Sequence, residues 1–292
     1  MLNIIANPFA HKGKGEKLLN KAEEKLRAAN VEFRIFRSEH EGNARKFAEA
    51  LTGSGETNLV VIGGDGTLNE VLCGIQNPEE CILGIVPAGT GNDFAEAANI
   101  PFGLKALDLI LHGDPQYTDY LQFADGNRSM NIAGVGMDVD ILRRCEKMNT
   151  NKRSKYAHAL ISSVFHYSGV HVKTERDGVT EEYDALIATV CNGKQFGGGI
   201  KFCPEAEIDD GLLDLVVVEW PKRSRYVWEL LKLKRGKLMK SRISHRVLCK
   251  KAVITPVGDN WAQFDGELRE VESLDAEIVT GKLRVFRGEN KK

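Results

Sequence analysis

Apolar residues along the first part of the chain fall in short runs separated by longer stretches of helical spacing. The runs at residues 2–6, 31–36, 58–62 and 82–86 have the length of buried strands, and 15–29, 43–51 and 68–75 between them carry the helical period. Strand and helix in alternation predict βαβ units, with a parallel sheet flanked by helices. After about Thr118 the texture changes. Segments 120–123, 130–135, 170–176, 185–190, 212–219 and 253–255 read as strands, punctuated by Asp125-Gly126, Asp177-Gly178, Asp210-Gly211 and Asp265-Gly266, all hairpin signals. Helices are predicted near 139–147, 155–167 and 225–240. The expected architecture is an α/β domain over residues 1–119 and a mainly antiparallel β domain over 120–292, without short repeats or low-complexity tracts. Few residues follow Val285-Phe286-Arg287, which leaves little room for a segment returning to the first domain.

A chain of 292 residues suits two domains. Its 42% hydrophobic and 28% charged content is ordinary for a globular protein, which argues against wholesale disorder. The net charge of −1 excludes nothing, but the part before Thr118 leans acidic and the remainder leans basic. Six cysteines are scattered with no C-x-x-C pair, a pattern of reduced thiols in a cytoplasmic protein rather than of disulfides or a zinc site. The start lacks a signal-peptide pattern and no run reaches the length of a membrane span, so any membrane contact is expected to be peripheral.

The chemistry concentrates in glycine-rich turns. The run at 58–62 leads into Gly63-Gly64-Asp65-Gly66-Thr67, after which a helix opens. Glycines at a strand-to-helix turn let backbone N–H groups approach an anion, and the helix N-terminus adds partial positive charge. Asp65 sharpens the reading. A carboxylate beside a phosphate repels it unless a divalent cation stands between them, and Mg²⁺ takes such oxygen ligands together with phosphate oxygens and water. A second loop, Pro87-Ala-Gly-Thr-Gly-Asn-Asp-Phe-Ala95, follows the next strand, with Asn92 and Asp93 as candidate caps. A third, after the first strand, holds Asn7-Pro8 and His11-Lys-Gly-Lys-Gly15, where Lys12 and Lys14 offer cations. Three such loops at the carboxyl ends of parallel strands mark a nucleotide pocket.

The common phosphate motifs are absent. There is no G-x-x-x-x-G-K-[ST], no complete G-x-G-x-x-G after a strand, and no protein-kinase catalytic loop. What the residues do resemble is the diacylglycerol kinase catalytic family, in its bacterial YegS/BmrU-like lipid kinases. The likeness rests on Gly63-Gly-Asp-Gly-Thr67 with Asn69-Glu70, on 87–95, on Asn7-Pro8, on Pro204 to Asp210-Gly211-Leu212, and on Phe264-Asp-Gly-Glu267. It runs the length of the chain in order. The first element is shared with NAD kinases and phosphofructokinase relatives; Gly-Thr-Gly-Asn-Asp-Phe-Ala favours the lipid kinases.

The resemblance implies a Rossmann-like α/β nucleotide-binding domain of the phosphofructokinase and NAD-kinase type, joined to a β-sandwich, with the active site in the cleft between them. ATP contacts would fall on Asn7, Pro8, Phe9, Ala10 and His11, on Ser38, on Gly64, Asp65, Gly66, Thr67, Leu68, Asn69 and Glu70, and on Thr90. Asp65 would hold the catalytic Mg²⁺. Asp265 and Glu267 would approach the γ-phosphate from the second domain, one of them taking the proton from the lipid hydroxyl. Glu267 is favoured, and the sequence does not separate the two. A second Mg²⁺ is implied at Asp210, with Glu207 and Leu212 lending oxygens and Asp209 as a rival ligand.

Residues 221–242 are rich in lysine and arginine, with Glu229 the one opposing charge. Val227, Leu230, Leu231 and Leu238 share helical spacing, and Tyr226 and Trp228 suit a headgroup boundary. Such a helix fits an anionic membrane surface, and fits equally a helix packed on the sandwich with a solvated basic face. A second basic run holds Arg143, Arg144, Lys147, Lys152, Arg153 and Lys155. The partners expected are a membrane lipid substrate and the inner membrane face, with no nucleic acid; a homodimer stays open. The competing functions are a soluble kinase of the NAD-kinase type and a catalytically inactive lipid or nucleotide sensor.

Overall fold

The structure, a computed structural model, describes residues 1–148 and 155–288, so Lys152 and Arg153 of the second basic run lie outside the described residues. The first domain alternates as its hydrophobic pattern predicts. β1 (Leu2–Ala6), α1 (Ala10–Ala28), β2 (Phe33–Arg37), α2 (Asn43–Gly53), β3 (Asn58–Gly63), α3 (Asp65–Gly74), β4 (Ile82–Pro87), α4 (Asp93–Ala97) and α5 (Lys105–His112) follow one another. The strands lie parallel in the order β2-β1-β3-β4. They are nearly continuous apolar runs because both faces are covered. Ile4, Ile5, Val60, Val61, Ile62 and Leu83 are all but fully buried, packed with Leu19, Leu26, Val71 and Leu72 of the helices.

Register decides where the loops go. Ala6 pairs with Arg37 and Ile62, and Gly63 pairs with Pro87, so four strands end level at one edge of the sheet. The turns beginning at Asn7, Ser38, Gly64 and Ala88 therefore open side by side.

The second domain holds β5 (Gln116–Phe123), β6 (Arg128–Ser129), β7 (Ile132–Gly136), α6 (Met137–Lys147), α7 (Lys155–His166), β8 (Val170–Arg176), β9 (Val179–Cys191), β10 (Leu213–Glu219), α8 (Tyr226–Lys234), β11 (Ser244–Cys249), β12 (Lys251–Val257), β13 (Trp261–Phe264), β14 (Glu267–Glu270) and β15 (Leu274–Val285). Its strands pair antiparallel. β9 is long enough to change partners, pairing β8 along its first half and β7 and β10 along its second. One core, with Phe123, Val190, Leu213, Ile254 and Phe264, fills the sandwich, and a second lies under α6 and α8.

Three expectations change. Asp210-Gly211 is no hairpin: it ends the connection from β9 and leads straight into β10. The helix expected over 225–240 stops at Lys234, broken by Gly236 at φ 63°, and only a short 3₁₀ turn follows at Leu238–Lys240. The chain also does return to the first domain. Arg284 and Val285 of β15 pair parallel with Ile82 and Leu83 of β4, and Gly288 N–H reaches the Ala98 carbonyl. Strand β15 is long, so one element spans both domains: antiparallel to β12 at its start and to β5 from Ala276 to Val285, and parallel to β4 at its end.

Candidate active site

Two cavities meet where the domains face each other. The first, about 390 Å³, lies over the level strand ends and is lined by Asn7, Phe9, Ala10, Ser38, Gly64, Gly66, Thr67, Glu70 and Gly89, with Glu267 reaching in from β14. The second, about 500 Å³, is lined by Asp65, Thr90, Gly91 and Asp93 of the first domain and by Asp138, Leu142, Phe196, Gly198, Gln263, Asp265 and Gly266 of the second. The sequence-predicted nucleotide residues thus divide. Asp65 and Thr90 belong to the second cavity, Leu68 is 4% exposed in the core, and Asn69 is 1% exposed beneath both.

Glycines let the loops close. A Cβ on Gly89 would stand 2.5 Å from the Gly64 Cα, so the two loops touch backbone to backbone. Asn92 ties its own turn, accepting from Gly89 N–H at 2.8 Å and donating to the Gly89 carbonyl at 3.0 Å. The Asn7 amide donates to Thr67 Oγ1 at 3.4 Å, and Glu70 accepts from Ala44 N–H at the start of α2. His11, at φ 47°, links Lys14 and Thr90 through its ring nitrogens.

Asp65 opens α3, but its carboxylate is turned toward the start of α4, where Phe94 N–H donates to it at 3.3 Å. Burial raises its pKa, and the amides of Asp93 and Phe94 oppose the rise. Asp93 in turn accepts from Gly198 and Gly199 N–H at 2.8 and 2.9 Å and from Gln195 at 2.9 Å, tying a loop of the second domain to the first. Gly197, Gly198 and Gly199 all have positive φ, which that loop requires. Sequence reasoning saw Asp93 only as a cap; the Gly197-Gly198-Gly199 run was the signal for its partner.

Asp265 and Glu267 look alike in sequence and differ in surroundings. Asp265 sits in a two-residue turn between β13 and β14, with φ 50° and with Gly266 at 95°, so the hairpin reading of this pair is also correct. Its carboxylate accepts five hydrogen bonds: from Ser129 Oγ, from the N–H groups of Met130, Asn131 and Ile132, and from the Asn69 amide at 3.1 Å. Burial pushes its pKa up, and the bonds from Ser129, Asn69 and the Ile132 and Met130 amides pull against it. Glu267 pairs with Arg269 at 3.1 Å, has the acids Glu70 and Asp265 nearby, and its Oε1 faces Gly66. Burial raises its pKa, with Arg269 opposing.

Two buried acceptors outside the predicted set border the second cavity. Asp138 is 4% exposed, and its Oδ2 has no hydrogen-bond partner; burial pushes its carboxyl up to about 6. Asn131 is likewise buried with an unpartnered Oδ1. Nothing local in the sequence singles out either.

For a divalent cation the donor set is suggestive in charge rather than in geometry. The first cavity is lined by Glu39, Glu41, Glu70 and Glu267 and, among the described side chains, by no lysine or arginine. A bare phosphate would be repelled there, whereas its Mg²⁺ complex would not. Among the described residues no three acidic, histidine or cysteine side chains converge as a ready-made metal site, so phosphate oxygens and water would complete the coordination. The residues of the predicted second metal site lie at the surface: Glu207 and Asp210 are exposed, Asp210 Oδ1 accepts from Leu212 N–H at 3.0 Å, and Asp209 pairs with Arg287. The nearest buried acid, Asp119, accepts from Gly211 N–H.

Comparison with known proteins agrees with this arrangement. Residues 1–123 match the diacylglycerol kinase catalytic domain and 131–287 match the YegS C-terminal NAD kinase beta sandwich-like domain. A probable lipid kinase YegS-like protein of Pectobacterium atrosepticum is 34% identical over 197 residues, a match spanning 61% of this chain and 61% of that protein. The one from Enterobacter sp. is 33% identical, with 70% of each chain covered. The crystal structure of a diacylglycerol kinase from Bacillus anthracis has a TM-score of 0.79 at 25% identity, covering 98% of this chain and 96% of that one. A further structure from the same organism, at 24% identity, shares the fold with a TM-score of 0.81 and covers 98% and 95% of the two chains. By its two matched domains and these relatives, the chain belongs to the diacylglycerol kinase catalytic family, in the branch that carries the YegS-type C-terminal domain.

Proposed function

We propose that this protein is a lipid kinase that moves the γ-phosphoryl group of Mg²⁺-bound ATP onto a hydroxyl of diacylglycerol or a related membrane lipid. The observation that carries the reading is that two unlike cavities are lined by neighbouring residues, Gly64, Gly66, Gly89 and Glu267 in the first and Asp65, Thr90 and Gly266 in the second. One cavity mixes polar and apolar surface, with glycine backbone and glutamates in its lining; the other offers mostly apolar surface with a few acids.

In this reading ATP lies in the first cavity. Backbone N–H groups at 64–67 and the start of α3 face its phosphates, Asn7 and Ser38 flank them, and Phe9, 66% exposed at the rim, offers a flat apolar face to the base. Mg²⁺ would supply charge neutralisation of the phosphates when bound, and Asp65, which follows Gly64 of the phosphate loop and borders the second cavity, would orient it from that side. The acceptor hydroxyl enters from the second cavity, and Glu267 takes its proton as the oxygen attacks phosphorus. Burial favours this role by raising the carboxyl's affinity for a proton. Asp265, whose oxygens are already filled by five donors, positions the turn that carries Glu267. The work place is the cytoplasmic face of a membrane, reached peripherally; no helix among the described residues is long and apolar enough to cross one.

Radiolabel transfer from γ-labelled ATP and Mg²⁺ to a panel of lipid extracts tests the proposal. Label is expected in an organic-soluble product and is expected to vanish in Asp65→Ala and Glu267→Ala. Label confined to NAD or another water-soluble acceptor would replace the lipid kinase by a soluble one.

A further inference from the structure

Helix α8 is short, and its faces are unlike. Tyr226 is 8% exposed and packs with Leu230, Leu233 and Leu238 on the core beneath α6, while Trp220 meets the Tyr226 ring at 5.7 Å. Glu229, the one acid between residues 221 and 242, is also turned inward, 7% exposed and paired with Lys232 at 2.9 Å. The outer face is therefore stripped of negative charge. It presents Val227 and Trp228, each 66% exposed, and Leu231 at 37%. Around them stand the exposed cations Lys222, Arg225, Lys234, Arg235, Lys237 and Lys240.

An exposed Val-Trp-Leu face costs solubility and does nothing for the core, so it has a partner. We infer that the outer face of α8 docks on the surface of an anionic lipid bilayer, Trp228 and its aliphatic neighbours entering the headgroup boundary while the flanking cations meet lipid phosphates. Charge complementarity selects this occupant. A second copy of the chain would bring two such cationic rims together, and a nucleic acid would leave Val227 and Leu231 without an apolar partner. The location fits as well. Phe196, which lines the second cavity, belongs to the same apolar core as the inner face of α8, and Gly236 just beyond the helix packs on Lys201 and Pro204 of the same loop region. A bilayer seated on α8 would stand beside the wall of the acceptor cavity. The inference names the surface on which the proposed lipid kinase works and takes its purpose from that reading, but binding is measurable without turnover.

The test is co-sedimentation of the full chain with phosphatidylcholine vesicles, with and without phosphatidylglycerol, followed by tryptophan emission. Binding is expected only with the anionic lipid, with a blue shift lost in Trp228→Phe. Trp228→Ser is expected to weaken partition about tenfold, and Lys234→Gln with Arg235→Gln about twenty-fivefold, each cation counting for about fivefold. Equal binding to both vesicle types, or variants that bind as the wild type does, would overturn the inference. So would tighter binding to duplex DNA than to vesicles, or a dimer that Trp228→Ser dissociates. Phosphorylation of a short-chain, water-dispersed lipid is scored separately: Trp228→Ser should keep that rate, and its absence in the wild type would sink the kinase reading while leaving the docking result intact.

Discussion

The two cavities are built by different means. The first is a product of register: four parallel strands end level, their turns touch, and the lining is backbone, small polar groups and carboxylates from one domain, plus Glu267. The second exists only because two domains face each other. Its walls are Asp65 and Asp93 on one side and Asp138, Phe196 and Gln263 on the other, and Asp93 bonded to Gly198 and Gly199 is one of the ties that hold it together. The difference teaches where each kind of specificity resides. In the proposed reading, phosphate recognition would be local and need glycine, and acceptor recognition would be assembled at long range from single side chains.

The sharpest challenge to this division falls on Glu267, the one carboxylate that reaches from the second domain into the first cavity. Glu267→Gln keeps shape and removes the base, so kcat is expected to fall about a thousandfold with the KM for ATP little changed. A loss confined to KM would make Glu267 a binding residue and return the proton to another group. Asp265→Asn gives the contrasting outcome. Its amide would confront donors that now fill Oδ2, the Met130 N–H and the Asn69 amide, at a cost of about 4 kcal/mol of stability. Chemical denaturation should show that loss in Asp265→Asn and none in Glu267→Gln. Equal stability of the two variants would erase the distinction between base and positioning residue.

The same division explains what was legible beforehand. Strand and helix order in the first domain follows from period alone, and the glycine loops there are contiguous motifs that carry the family resemblance, through which Asn7, Ser38, Gly64, Thr67 and Glu70 were nominated. Asp65 stood out in its glycine loop, yet the attachment of its carboxylate to the amides at α4 depends on how two loops pack, which no spacing encodes. Asp138 and Gln263 are single residues on α6 and β13, brought together only by the fold. The return of β15 to β4 was missed for a related reason: nothing in a long strand of mixed polarity tells that one edge pairs with β12 at its start and with β4 at its end.

Asp138 offers a test of the second cavity alone. Its native pKa, raised to about 6, lies above the unfolded value near 3.8, so between those values the native state holds a proton that the unfolded chain has released. Stability from this group is therefore present at low pH and falls as pH rises through that window, to a cost of about 3 kcal/mol above it. Asp138→Asn should be more stable than the wild type at about pH 8, and the advantage should shrink to nothing near pH 4. Denaturant midpoints at both pH values decide it. A pH-independent difference would mean that the carboxyl is not held protonated by burial.

The smallest effect, and the one that asks most directly whether the cavities are separable, is expected from Gly89→Ala. The added methyl would lie 2.5 Å from the Gly64 Cα and 2.8 Å from Asn92 Oδ1, so the glycine loops must part. Overpacking of this kind costs about 2 kcal/mol. Because Gly89 lines the first cavity and not the second, the damage should appear as a severalfold rise in the KM for ATP, with the KM for the lipid acceptor unchanged. The contact nevertheless stands directly behind Asp65, one residue along from Gly64 and a wall of the second cavity. Should acceptor KM rise with that for ATP, the two loops would be acting as one body, and the phosphate site and the acceptor site would be coupled through Asp65 rather than merely adjacent.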